Sequence, residues 1–147
     1  MKDVRGFTVI ELMAVVFIIA ILAYIALPLY TRFVQTARET AVISYLAKVN
    51  RAEEIYRIDY NATPYSGDFD ALEYTKAIPE GMGGATRVVN DYRLDLTAGI
   101  NAAGDPFYQV TATPLLNTAN SRWFYMDETG AIRYAVGGAA NAASPSI

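Results

Sequence analysis

The sequence predicts an α+β fold in which one long N-terminal helix packs on a four-stranded antiparallel β-sheet. Three observations predict it. Twenty residues from Leu12 to Thr31 carry no charge at all. Beyond them, Val42, Leu46, Val49, Ala52 and Tyr56 recur at helical spacing, with Tyr45 beside them. Short alternating runs bounded by turn residues then fill the C-terminal half. A length of 147 residues is the prior for one domain.

The first element is Met1–Gly6, a short basic stretch with Lys2, Arg5 and Asp3. An ordinary secretory signal places its small cleavage residue after the apolar run. Here Gly6 comes before it, so cleavage at Gly6 would leave the apolar segment on the mature chain. The uncharged run rises about 1.5 Å per residue and spans roughly 30 Å, the thickness of a bilayer's hydrocarbon core. Residues 7–31 thus read as an anchor, and Lys2 and Arg5 place its N-terminal side in the cytoplasm by the positive-inside rule. Residues 32–60 read as an amphipathic continuation of the same helix, from about Thr8 to Asp59. Arg38, Glu39, Lys48, Arg51, Glu53 and Arg57 are expected largely off its apolar stripe. Pro28 removes an i→i−4 hydrogen bond and predicts a kink. Pro64 ends the helix by excluding the preceding residue from the α region.

Residues 61–136 form the loop and sheet region. Asp70 to Ala77 is expected as a short helix, flanked by the breakers Ser66-Gly67-Asp68 and Gly81-Met82-Gly83-Gly84. The strand expectations are Arg87–Thr97, Phe107–Thr113, Arg122–Met126 and Ala131–Val136. Asp127-Glu128-Thr129-Gly130 joins the last two as a hairpin loop. The tail, 137–147, is rich in Gly, Ala, Ser and Asn and is expected to be mobile unless docked.

Composition narrows the function. The formal net charge is −3, and removal of Met1–Gly6 leaves −4, so nothing suggests a basic nucleic-acid surface over the whole molecule. With no cysteine there is no disulfide or thiolate chemistry, and with no histidine the commonest metal ligand and general base is missing. No glycine-rich phosphate loop follows a strand. Carboxylate neighbours such as Glu53-Glu54 read as an exposed helix face. The expectation is a protein that is not an enzyme, with no cofactor and no metal.

Glu11 is the anomaly of the anchor. A carboxylate entering a bilayer costs roughly a few kcal/mol unless it lies at the interface or finds a partner. Cleavage after Gly6 would supply one, since Phe7 would carry a new α-amino group one helical turn away. A neighbouring subunit's amine would serve equally, and that pairing would set the stagger between two helices. An interfacial carboxylate that only marks the boundary is the other reading.

Gly6-Phe7-Thr8-Val9-Ile10-Glu11-Leu12 resembles the processing and methylation motif of type IV prepilins and their pseudopilin relatives. The resemblance covers roughly the first thirty residues. It implies leader cleavage between Gly6 and Phe7, N-methylation of Phe7, an assembly role for Glu11 and the helix kink at Pro28. It also implies a pilin-like layout of the whole chain. Many members carry a glycine in mid-anchor where this chain has Ala20. The function expected from the resemblance is a structural subunit of a type IV pilus-like filament, polymerised through its N-terminal helix. The major pseudopilin of a type II secretion system shares Gly6, Phe7 and Glu11 and stays open beside it. A bitopic adhesin or binding module that never polymerises is the alternative of another class.

The implied partners are other copies of the chain, a prepilin peptidase and methylase, an inner-membrane assembly platform, and membrane lipid before assembly. The implied location is the inner membrane first and the cell surface afterwards. Contact with nucleic acid through Arg32, Arg38 and Lys48 competes with a solvated helix face, the commoner outcome for such charges. Phe7, Phe17, Tyr24, Tyr30 and Phe33 read as helix packing and an interfacial belt before they read as an electron path. Asp127 and Glu128 offer too few oxygens for calcium and read as a turn. Asn61-Ala62-Thr63 is a formal glycosylation triplet, and Ser144 and Ser146 are further surface modification candidates.

Overall fold

A computed structural model describes residues 7–60, 65–81 and 84–147. Gly6 and the Asn61-Ala62-Thr63 triplet lie outside the described residues. The chain divides after Ala37 into two compact units.

The first unit is helical from Val9, the start of α1 (Val9–Asp59). Every described residue up to Phe33 is exposed, including Phe17, Ile18, Leu22 and Leu27. Helical pairing satisfies the backbone while the side chains stay outward, the combination a hydrocarbon solvent demands. The helix is long and apolar enough to cross a membrane. Pro28 lies inside it, and Thr31 Oγ1 donates to the Pro28 carbonyl at 3.0 Å.

The second unit contains the rest of α1, then α2 (Phe69–Leu72), a 3₁₀ turn (Glu73–Thr75) and five strands. These are β1 (Thr86–Val89), β2 (Tyr92–Ile100), β3 (Pro106–Pro114), β4 (Arg122–Asp127) and β5 (Ile132–Val136). They form one antiparallel meander in sequence order. The α+β class and the helix-on-sheet arrangement are as the sequence predicts, with one strand more. The expected strand Arg87–Thr97 is two strands. Asn90 and Asp91, at φ 47° and 64°, make the two-residue turn that reverses the chain, and Val89 pairs with Tyr92 across it. The expected short helix is α2 followed by the 3₁₀ turn, which ends where Lys76 turns left-handed at φ 56°.

Alternation along the strands builds the core. Tyr92, Leu94 and Leu96 of β2, Tyr108, Val110 and Ala112 of β3, and Phe124 and Met126 of β4 all point inward. Register places Leu96 opposite Val110, Val110 opposite Met126, and Ala112 opposite Phe124. Val42, Tyr45, Leu46, Val49 and Ala52 of α1 belong to the same core, joined by Phe69 and Leu72. Each large side chain buried there contributes about 1.5–3 kcal/mol.

Two expectations are corrected by burial. Glu39 and Glu53 are buried, Glu53 completely, and lie neither off the stripe nor on an exposed face. Positions 39, 42, 46, 49, 53 and 56 follow one another by three or four, so both carboxylates sit in register with the apolar residues. The tail is docked. Tyr134 N donates to the Pro145 carbonyl and Ile147 N to the Ile132 carbonyl, each at 3.0 Å, which covers the outer edge of β5. Gly137 begins this return at φ 70°, and a Cβ there would stand 2.7 Å from the Ala119 carbonyl oxygen. No larger residue fits.

Candidate functional site

Of the residues the sequence singles out, Phe7 and Glu11 lie at the start of α1. Phe7 precedes the helix and is 85% exposed. Thr8 and Glu11 then form a reciprocal pair. Thr8 N and Thr8 Oγ1 both donate to Glu11 Oε2 at 2.8 Å, and Glu11 N donates to Thr8 Oγ1 at 3.3 Å. Threonine before the first turn with glutamate three residues on is a capping box, which satisfies backbone donors that no carbonyl of the helix can reach. The negative carboxylate also complements the positive end of the helix dipole.

Glu11 therefore has a partner inside its own chain. The sequence signal for this bond is the Thr-x-x-Glu pattern before an apolar run. Both side-chain bonds fall on Oε2, and among the described residues no hydrogen bond reaches Oε1. One carboxylate oxygen thus caps the helix. Pro28 lies farther along α1 and is not brought to this cluster.

The second unit has two polar features that the sequence reading missed. Arg87 of β1 is almost fully buried, with 6% of its side chain exposed. Its Nη1 donates to Tyr45 Oη at 3.0 Å and to the Pro79 carbonyl at 3.1 Å. Its Nη2 donates to Glu73, to Asp70 Oδ1 at 3.2 Å and to the Gly81 carbonyl at 3.0 Å. The guanidinium also lies over the Phe69 ring, 5.4 Å from its centroid. One fork thus ties β1, α1, α2 and the following loop together, a task suited to arginine's planar set of donors. An open cavity of about 400 Å³ beside it is lined by Tyr45, Pro79, Gly81 and Val89 among others. Both carboxylates spend the arginine's charge internally, so the cavity offers little attraction to an anion.

The other missed feature is Glu53. Its Oε2 accepts from Ser66 N at 2.9 Å, and its Oε1 is buried with no hydrogen-bond partner. Burial pushes its carboxyl up to about 7, against the lowering effect of the Ser66 bond; nearby Glu54 raises it further. A surface cluster closes the end of α1, where the Tyr56 and Tyr60 rings stack at 4.8 Å and Tyr74 meets both edge-on. Tyr74 Oη donates to Asp59 at 3.1 Å.

Asp127 acts as a turn residue. Its Oδ1 accepts from Thr129 N at 3.1 Å and from the Thr129 hydroxyl, and Gly130 follows at φ 72°. Arg38 pairs with Asp91 at 3.1 Å, and so is committed to the β1–β2 turn.

Comparison with known proteins adds relatives to this geometry. A model of the family described as the prokaryotic N-terminal methylation motif matches residues 1–27. The chain is 40% identical over 62 residues to the type IV wide pilus major component PilA4 of Thermus thermophilus, covering 42% of this chain and 47% of that protein. It is 33% identical over 107 residues to fimbrial protein Q of Moraxella bovis, covering 73% of this chain and 64% of the relative. With the type IV major fimbrial protein FimA of Dichelobacter nodosus it shares 33% identity over 124 residues, 76% of this chain and 75% of the relative. The chain spans about half the length of the first of these and under two thirds of the second. No solved structure matches it.

Proposed function

We propose that this chain, which belongs to the type IV pilin family, is the repeating structural subunit of a type IV pilus-like filament. The observation that carries the reading is the first half of α1, where every described side chain is exposed and Leu12 to Thr31 carries no charge. Such a surface is stable in only two settings, a bilayer or the company of other apolar helices. Its large aliphatic and aromatic side chains are each worth about 1.5–3 kcal/mol on leaving water. Their sum reaches tens of kcal/mol, enough to offset the entropy of ordering a subunit in a polymer.

The filament forms from a membrane pool. The chain enters the inner membrane with Met1–Gly6 on the cytoplasmic side. A prepilin peptidase cuts after Gly6, and Phe7 is methylated on its new amine. An assembly platform then passes subunits from lipid into the polymer. Glu11 Oε2 stays with the Thr8 cap, while Oε1 receives a Phe7 α-ammonium group, its own or a neighbour's. A charge-assisted bond of that kind, made away from water, fixes the axial stagger between helices. Head-to-tail contacts repeated in this way give an open helical polymer rather than a closed ring. Pro28 supplies the bend of the anchor.

The relatives are named as pilus and fimbrial components, which favours a surface pilus over a secretion pseudopilus. Intact-mass analysis of the purified protein tests the processing. The expected chain begins at Phe7 and carries one methyl group, whereas an intact Met1 overturns the reading. Glu11→Ala is expected to remain in the membrane fraction and to yield no filaments by electron microscopy.

A further inference from the structure

We propose that Glu53 is a pH-operated latch on residues 65–72: neutral, it stays buried and holds Ser66 to the helix, and ionised, it is drawn to water, which it reaches only when that segment opens. The geometry is that of a carboxyl with one bond and no escape. Glu53 is fully buried in the second unit, Oε2 holds Ser66 N at 2.9 Å, and Oε1 is buried with no hydrogen-bond partner among the described residues. A buried neutral carboxyl in that position forgoes one hydrogen bond, but a buried anion forgoes hydration altogether.

Beyond the Ser66 bond, the described surroundings do nothing to rescue the anion. Glu54 of the same helix adds a like charge. Tyr65 of the connection and Tyr108 of β3 face Glu53, and their hydroxyls are themselves held up by burial and by its charge. Tyr108 Oη is already committed to Asn50 Oδ1 at 2.6 Å. Arg57, one helical turn further along α1, is bound to Glu54 at 3.0 Å. No ion pair reaches Glu53 among the described residues, and 61–64, Asn-Ala-Thr-Pro, contain nothing that titrates.

What the latch holds makes it a device rather than a misfit. Ser66 is itself buried, its Oγ donates to the Asp68 carbonyl at 2.9 Å, and Asp68 N donates back to that Oγ at 3.1 Å. Asp68 in turn caps α2, accepting from Asp70 N at 2.8 Å. Asp70 is one of the two carboxylates on Arg87. A chain of hydrogen bonds thus runs from Glu53 through Ser66 and Asp68 to the arginine fork. Exit of the Glu53 carboxylate to water breaks the first bond and frees 65–72, whereas the pairing of β2 to β4 does not pass through it.

The sign follows from burial. The folded carboxyl titrates near 7 and an unfolded one near 4.5, so the latch is strongest in acid and weakens as pH rises through the folded value. The latch needs only the folded second unit, so it stands whether or not the chain polymerises.

Amide hydrogen exchange on the full chain in detergent micelles, at about pH 5 and about pH 8.5 and corrected for intrinsic rates, tests it. Opening of residues 65–72 relative to β3 is expected to increase on the order of a hundredfold between the two, since each unit between the folded and unfolded values is a factor of ten. Glu53→Gln keeps an acceptor for Ser66 N but cannot ionise, and is expected to show the closed pattern at both. In the wild-type chain, a carbon-13 titration of the Glu53 carboxyl is expected to share its midpoint with the opening. Equal relative protection of the wild type at the two pH values, the same pH dependence in Glu53→Gln, or an opening midpoint that departs from the carboxyl's overturns the proposal.

Discussion

The two halves of α1 share one backbone geometry and meet opposite demands. In the first half, apolar side chains stand on every face and none is buried. In the second, the apolar residues narrow to a stripe that enters the core with Val42, Leu46 and Val49 fully buried. Their glutamates differ in the same way. Glu11 is exposed, and it caps the helix through Thr8. Glu53 is sealed in, with one backbone bond and no counter-charge. Helix propensity does not separate the halves. What separates them is the solvent each face is built for, and in each half the carboxylate marks a place where that solvent is contested.

Truncating one leucine from each half should break the symmetry most strongly. Leu46→Ala removes a fully buried side chain and leaves a cavity, so the second unit should lose roughly 2–5 kcal/mol in denaturant unfolding. Leu22→Ala removes an exposed one and should change that unit's stability by no more than about 0.5 kcal/mol.

The next effect is one of pH. Because the folded Glu53 carboxyl titrates near 7 and the unfolded one near 4.5, the unfolded state binds fewer protons between those values and stability falls as pH rises. The loss should approach roughly 3 kcal/mol at the alkaline end, and Glu53→Gln should flatten this part of a thermal-unfolding pH series. Smallest is the cap. Thr8→Ala should cost about 1 kcal/mol of local helix stability, read as faster amide exchange in the first turn with the second unit unchanged.

The fold class was legible because its signals are long. An uncharged run and a stripe several turns in length leave little room for another assignment. The extra strand was hidden because Asn90-Asp91 is a weaker turn signal than a glycine-containing pair, and the alternation runs on through it. Glu39 and Glu53 were misjudged by chemistry rather than by pattern. Their spacing placed them on the buried stripe, and their charge argued them off it. At the N-terminal site, Glu11 was found by its cost in lipid, whereas its bond to Thr8 needed the local turn to be considered as well. The docking of the tail on β5 had no signal in residues so small and polar. It depends on an edge strand that only the assembled sheet provides.

The proposed function requires the exposed first half of α1 to become the interior of a polymer. Since the chain contains no cysteine, Ile18→Cys creates a single probe in that segment. Labelling with a water-soluble maleimide, on sheared and washed filaments, is the direct measurement. The Ile18→Cys chain is expected to stay unlabelled in intact filaments and to react fully once they are denatured. Full reaction in intact filaments would contradict it.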